Sequence, residues 1–250
     1  MQKIDKELVK NRFRDSLKDY NSSALVQKKM AVELVNKLNE TNSSFQRVFE
    51  IGCGTGILTK EIYKNLNLSE FFCNDLSDEP FDFVKPFCKI ENFRTFDGED
   101  TEMYPEDLDL IVSGAVFQWF ENLPQYLRKV SQKLHKNGLI AFSTFGGDQY
   151  SEIREVTGNC LKYYTKEELL NSVSSKYELL LFTQWKEVMN FSSVKEIMSH
   201  IKSTGVSGVG LKTTKKMPLS QFRKTYREKF LKNGVLPLTY NPQIWILRRK

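Results

Sequence analysis

A short apolar stretch that runs without a break into three closely spaced glycines narrows the fold of this chain more than any other feature. Val48-Phe49-Glu50-Ile51 leads into Gly52-Cys53-Gly54-Thr55-Gly56, and Ile57 to Leu66 then carries helical periodicity. A strand that passes through glycines into a helix makes a tight turn where backbone can approach a ligand closely. The dinucleotide fingerprint is GxGxxG. Here the third glycine comes one residue early and position 57 is Ile, which argues against a dinucleotide. Glu50 at the head of the motif also argues against a pyrophosphate and suits a cationic group or hydroxyl donors. Further on, Asp75 ends a second apolar run, where a carboxylate can accept both hydroxyls of an adenosine ribose. The predicted walls are backbone amides and carbonyls, which suit an amino-acid moiety and a nucleoside.

The periodicity around this motif predicts a mainly parallel α/β sheet. Helices are expected over 5–18 and 22–39, and strands over 70–75, 94–96, 108–113 and 139–145. A helix is expected over 124–134, with Asn137-Gly138 as its stop signal. Strands alternating with helices imply right-handed crossovers. After residue 150 the pattern changes. Thr165 and Glu168 have capping-box spacing, 177–185 reads as a strand, 193–203 and 218–232 as helices, and 243–247 as a last strand returning to the sheet. The expected organisation is a helical lid over 1–40, a ligand-binding core over 41–190, a basic helical insertion over 191–240 and a final core strand over 241–250.

Charge sharpens this division. Residues 191–250 hold 13 Lys/Arg and two acids, Glu196 and Glu228, a local charge of +11, while residues 1–190 carry −5, which together give the net +6. Such asymmetry points to an anionic partner at one end of the molecule, with a solvated Lys-rich surface as the competing reading. The 250 residues need no disulfide or metal staple. Cys53, Cys73, Cys88 and Cys160 form no CxxC pair, and the two histidines, His135 and His200, stand at no zinc-ligand spacing, so no metal is expected. Reduced cysteines, no 18-residue apolar run and no apolar signal stretch at the N-terminus make a cytoplasmic protein the expectation.

FEIGCGTG followed by CNDLS resembles the cofactor half of class I S-adenosylmethionine-dependent methyltransferases. The resemblance implies a Rossmann-like, seven-stranded sheet. It places Glu50, Gly52, Cys53, Gly54 and Gly56 at the methionine part of S-adenosylmethionine, Asp75 on the ribose and Leu76 against adenine. Asp100 and Thr101 match the position that meets the adenine amino group, with Asp97 as a rival. Ser113 and Ala115 would line the pocket near the sulfonium. A narrower similarity covers nearly the whole chain: VKNRFRDSLKDYNSSALVQKKMAVEL, SGAVFQWFENL, AFSTFGGDQYSEI, SHIKSTGVSGV and PLTY are similar to the malonyl-[acyl-carrier protein] O-methyltransferases of biotin synthesis. Gly114 departs from the Asn more usual there, and 78–86 is shorter and more acidic than usual.

This family resemblance implies methyl transfer to a carboxylate, which is ionised at neutral pH and needs no general base. Tyr20 and Gln118 are the positioning residues it points to. Tyr20 would close over the cofactor and touch the carboxylate, and Gln118 would hold polar groups of cofactor or substrate. Gln27 and Trp119 are further substrate candidates, as are Lys202 for the malonyl carboxylate or a phosphate, and Tyr240. Arg223 and Arg227, at i, i+4 spacing with Tyr226 beside them, are candidates for the phosphate or acidic helix of a malonyl-phosphopantetheine acyl-carrier protein. A monomer acting without nucleic acid or membrane is expected. Methylation of another small carboxylate, an RNA methyltransferase using the basic insertion, and a non-enzymatic binder with a degenerate cofactor site are the alternatives.

Overall fold

The computed structural model describes residues 3–205 and 217–250. Val206 onward in the SHIKSTGVSGV stretch lies outside the described residues. Two helices open the chain, α1 (Lys6–Ser23) and α2 (Leu25–Thr41). An alternation follows: β1 (Ser44–Ile51), α3 (Ile57–Asn65), β2 (Asn67–Asp75), the one-turn α4 (Phe81–Val84), β3 (Phe93–Thr95), β4 (Leu108–Gly114), α5 (Leu123–Val130) and β5 (Leu134–Phe145). Then come α6 (Ser151–Thr157), α7 (Lys166–Val173), β6 (Tyr177–Gln184), β7 (Glu187–Phe191), α8 (Val194–Ser203), α9 (Leu219–Phe230), β8 (Leu236–Tyr240) and β9 (Pro242–Arg249).

Seven strands form one sheet in the order β3-β2-β1-β4-β5-β9-β6. β1 runs parallel to β2 and β4, and β5 parallel to β4, while β9 slots antiparallel between β5 and β6. The strand order reverses between β1 and β4, and a doubly wound sheet opens its ligand crevice outside the carboxyl ends of the strands there. The central strands are buried on both faces, as β4 shows with Leu110, Ile111 and Val112 all at 0% exposure. On one face α2 and α3 contribute Leu34, Leu38 and Ile62 to the core. On the other, α5 and α7 contribute Leu127, Val130, Leu169 and Val173.

Local signals behave as their chemistry dictates. Asp5 caps α1 by accepting from Leu8 N at 3.0 Å, and Thr165 and Glu168 form the reciprocal capping box of α7. Asn137-Gly138 is not a helix stop. α5 ends at Val130 and β5 already begins at Leu134, so the pair lies within the strand. Asn137 takes a positive φ of 69° there, and the β4–β5 register shifts between Leu108 and Leu110, which makes the pair a strand irregularity.

Beyond the sheet, β7 and β8 form a separate antiparallel pair, Glu187 opposite Tyr240 and Phe191 opposite Leu236. Helices α6, α8 and α9 pack around it in a third core containing Val156, Ile197, Ile201, Phe222, Tyr226 and Leu238. Met30 of α2 and Phe145 of β5 join that cluster and tie it to the main sheet. No helix among the described residues is long and apolar enough to cross a membrane.

Candidate active site

A cleft of about 1130 Å³, counted out to its open mouth, lies at the carboxyl ends of β1, β2 and β4 under α1. Its floor is the glycine turn. Gly54 N donates to Asp75 Oδ2 at 2.9 Å and Leu76 N to Asp75 Oδ1 at 2.7 Å, so one carboxylate ties the turn after β1 to the end of β2. Asn74 adds a second tie, accepting from Gly52 N at 3.3 Å and donating to Phe96 O at 2.9 Å. Gly52 has φ +67°, and a Cβ there would stand 2.5 Å from Val116 Cγ2. Only glycine allows both the turn and that close approach.

Two acids line this cleft, Glu50 buried and Asp75 half-buried. Glu50 is 1% exposed and accepts from Thr59 Oγ1 at 2.6 Å. Burial pushes its carboxyl up to about 8 against the Thr59 bond, with Asp75 adding to the rise. Burial also pushes Asp75 up to about 6, opposed by the backbone N–H bonds it accepts. The Cys53 thiol, which lines the same floor, stands raised at about 11. Burial penalises the charged form of both acids, and a ligand bringing positive charge or hydrogen-bond donors relieves that penalty.

The lid supplies the roof. Along α1 the cleft is lined by Lys6, Val9, Lys10, Phe13, Arg14 and Leu17, then Tyr20, and α2 adds Gln27. Lys6 latches this helix down, reaching Asp97 at 3.2 Å and Glu99 at 2.8 Å while its ammonium sits 5.1 Å over the Phe120 ring. Phe13 meets Trp119 edge-on at 5.9 Å. Burial, then the nearness of Tyr150 and Asp75, holds the Tyr20 hydroxyl protonated far above its ordinary range.

Behind Tyr20 a smaller chamber continues inward. Phe13, Tyr20 and Gln27 close it from the lid, Ala115, Gln118 and Trp119 from the turn after β4, and Phe145, Gln149 and Tyr150 from the turn after β5. Its walls leave Gln27 Oε1 and Trp119 Nε1 buried with no hydrogen-bond partner among the described residues. One is an acceptor and the other a donor. A buried polar atom without a partner is costly, and a ligand that supplies one recovers the cost.

The structure brings together Tyr20, Gln27, Glu50, Gly52, Cys53 and Gly54 on the cleft, with Asp75, Leu76, Ala115 and Trp119. Gln118 lies in the adjoining chamber. Its amide is occupied, donating to Ala115 O at 2.6 Å and so holding Ala115 at φ 55°. Other expected residues stand elsewhere. Gly56 does not line the cleft; its positive φ starts α3, and a Cβ there would crowd Val84 Cγ1 at 3.3 Å. Ser113 is buried beneath the turn, donating to Ile51 O at 3.0 Å. Asp100 is exposed and caps a single turn by accepting from Glu102 N, and Thr101 is buried within that turn. Their rival Asp97, with Gly98, lines the cleft.

Among the substrate candidates, Lys202, Arg223 and Arg227 are exposed and line neither space. Tyr226 is a core residue whose hydroxyl donates to Pro237 O at 2.6 Å. Tyr240 is fully buried and lines neither space. Sequence reading missed the cationic edge of the lid, although Lys6, Lys10 and Arg14 recur at i, i+4, i+8 on one helix face. It also missed Tyr150, although that residue lies in the AFSTFGGDQYSEI stretch, and Tyr163, which lies in none of the quoted stretches.

Known proteins share this architecture. The methyltransferase-domain family matches residues 49–142. Among curated relatives, a malonyl-[acyl-carrier protein] O-methyltransferase of Prosthecochloris aestuarii is 32% identical, covering 100% of this chain and 96% of its own length. That of Acinetobacter baylyi is 33% identical over 99% and 98%, and that of Chlorobium phaeovibrioides 34% over 98% and 97%. Among solved structures, the YcgJ protein of Bacillus subtilis superposes with a TM-score of 0.59 at 16% identity, covering 87% of this chain and 98% of the other. The N-methyltransferase NodS of Bradyrhizobium japonicum superposes at 0.50 with 10% identity over 90% and 97%. These two likenesses concern the fold alone.

Proposed function

This chain belongs to the malonyl-[acyl-carrier protein] O-methyltransferase family, and we propose that it methylates the free carboxylate of a malonyl thioester carried on acyl-carrier protein. The product, a malonyl methyl ester, would open the pimeloyl branch of biotin synthesis. The chain is an S-adenosylmethionine-dependent methyltransferase. The observation that carries the substrate reading is the family likeness over full length, joined to a lidded chamber in which Gln27 Oε1 and Trp119 Nε1 have no partner among the described residues.

The cleft fits the methyl donor by the chemistry of its donor set. Glu50 is an acid with no cation paired to it among the described residues at the methionine end, and Asp75 offers a carboxylate at the ribose end. When bound, the cofactor supplies an electrophilic methyl group on a sulfonium. Everything else falls to the protein. Glu50 and the Gly52–Gly54 backbone hold the amino-acid moiety. Asp75 holds the ribose, with Leu76 and Asp97 at the base. Tyr20, Gln27 and Trp119 position the acceptor. A carboxylate is already the nucleophile at neutral pH, so the chamber's task is alignment and exclusion of water. Phe13, Trp119, Phe145 and Leu161 supply the water-free walls.

In this reading 1–40 is the lid, 41–190 and 241–250 the core, and 191–240 the face that meets an acidic carrier, in a cytoplasmic monomer. Arg223 and Arg227 act at that face, outside the chamber, with Lys202. The test is transfer of label from S-adenosylmethionine to malonyl-acyl-carrier protein, beside malonyl-coenzyme A, free malonate and bulk tRNA. Base-labile label on the carrier is the expected result. Label on tRNA alone would overturn it.

A further inference from the structure

Tyr150 lines the acceptor chamber from the turn after β5, and its geometry is unusual for an aromatic residue. It sits at φ 51°, ψ 42°, a left-handed conformation that side chains rarely adopt. Three contacts hold it there. Its N–H donates to Thr239 O at 2.8 Å, and Glu152, in the first turn of the helix that follows, accepts from Thr239 N at 3.0 Å and from the Thr239 hydroxyl. The side chain stands in a row of hydroxyls. Tyr150 Oη is 3.1 Å from Tyr240 Oη, and Tyr240 Oη is 2.7 Å from His200 Nε2. Tyr240 is wholly enclosed, whereas His200 is half-buried with its ring 5.2 Å from that of Phe191.

We infer that Tyr150 grips the acceptor carboxylate, and that Tyr240 and His200 are positioning residues that set the sense of its hydroxyl. The inference rests on the methyl transfer proposed above. Each hydroxyl carries one hydrogen, so the row has two senses, fixed at its far end by the imidazole tautomer. With the ring hydrogen on Nδ1, Tyr150 donates to Tyr240 and Tyr240 donates to Nε2. A lone pair of Tyr150 then faces the chamber. With the hydrogen on Nε2, His200 donates to Tyr240, Tyr240 donates to Tyr150, and the Tyr150 proton turns inward, where the acceptor carboxylate competes for it with the Thr204 hydroxyl, itself donating to Ile201 O at 3.0 Å. Burial lowers the His200 pKa, so the neutral ring and both tautomers are available. A carboxylate selects the inward sense, because it can only accept. A methyl ester is uncharged and accepts more weakly, so the same hydroxyl holds the substrate better than the product. Specificity for a free acid then comes from a device three residues deep, built from the turn after β5, from β8 and from α8.

The test uses the full chain and four variants: Tyr150→Phe, Tyr240→Phe, His200→Leu and His200→Gln. KM and kcat are measured with malonyl-acyl-carrier protein, S-adenosylmethionine affinity by calorimetry, and folding by thermal melts. Tyr150→Phe is expected to raise KM on the order of tenfold to a hundredfold, the loss of one hydrogen bond to a charged group, with cofactor affinity unchanged. Tyr240→Phe and His200→Leu should shift KM the same way by less. His200→Gln should restore it, because an amide can still pair with the Tyr240 hydroxyl. A folded Tyr150→Phe chain with wild-type KM overturns the inference, as does an equal loss of cofactor affinity. If Tyr240→Phe does not fold, the His200 pair at the half-exposed end decides. A wild-type chain that methylates no malonyl thioester sinks the reaction and the inference together. An active wild type with an indifferent Tyr150→Phe sinks the inference alone.

Discussion

At Glu50, binding and stability pull in opposite directions. Burial pushes its carboxyl from 4.5 to about 8, so between those values the folded protein holds a proton that the unfolded chain releases. The folded state therefore binds more protons between these values. The stability contributed is complete below 4.5 and is lost as pH rises through about 8. Glu50→Gln cannot ionise and escapes that loss. Its melting temperature is expected to exceed the wild type's by a margin that widens as pH rises from 4.5 to about 8, levels off above that and shrinks at mildly acidic pH. Cofactor binding should show the reverse. The ligand favours the ionised acid, so wild-type binding at neutral pH should expel a proton, readable by calorimetry in buffers of different ionisation enthalpy. Glu50→Gln should lose that proton signal and about tenfold to a hundredfold in affinity. A variant that binds as tightly as wild type would remove Glu50 from the cofactor site.

The glycine turn and the lid carry the predictions that belong to elements. Gly52 and Gly54 both have positive φ, but a Cβ at Gly52 collides with Val116, while one at Gly54 meets nothing within 4 Å. Gly54→Ala should therefore cost only left-handed strain, about 1–2 kcal/mol, and Gly52→Ala distinctly more, since Val116 must also move. Denaturant melts of the two variants measure the difference, and equal losses would mean that the turn relaxes freely. On α1, Lys6→Ala removes the latch to Asp97 and Glu99. The groups are partly exposed, so the stability cost is small. The expected effect is local: earlier proteolytic cleavage within α1 and a several-fold weaker hold on the cofactor, with little change in melting temperature.

These elements also show which parts of the molecule a sequence can declare. The β1 turn was legible because every signal in it is local: apolar run, acid, glycines and helix lie within twenty consecutive positions. The capping box of α7 was legible for the same reason. The pair β7 and β8 was not. Glu187 to Phe191 alternates between exposed and half-buried, and its partner lies some fifty residues on, so no local pattern announces it. The site divides in the same way. Glu50, Asp75 and Tyr20 could be named as cleft residues, whereas Asp97 and Asp100 stayed rivals because the backbone between them, not their chemistry, decides which one faces the cleft. Tyr150, Tyr240 and His200 each lie in a stretch that carries the family resemblance, AFSTFGGDQYSEI, PLTY and SHIKSTGVSGV, but they meet only through tertiary packing, which no local pattern encodes.

On the scale of the whole molecule the relevant quantity is where charge lies. Residues 191–250 carry +11 against −5 for the rest, and Arg223 and Arg227 stand exposed on α9 while Phe222 and Tyr226 turn into the core. A helix that buries aromatics on one side and offers guanidinium groups on the other is suited to steer an acidic partner. Steering acts over the screening length, which falls from about 30 Å at 0.01 M salt to about 3 Å at 1 M. The kcat/KM for malonyl-acyl-carrier protein should therefore fall steeply across that range, and that for malonyl-coenzyme A much less, because a small thioester presents only its own phosphates. Reversing both charges, Arg223→Glu with Arg227→Glu, should lower kcat/KM with the carrier by about tenfold at low salt, and the two curves should converge at high salt. The loss should be larger for the carrier than for the coenzyme A thioester, since these arginines lie outside the chamber where the carboxylate reacts. Parallel salt curves for the two thioesters would mean that the basic face plays no part in docking, and that only the chamber distinguishes one acyl carrier from another.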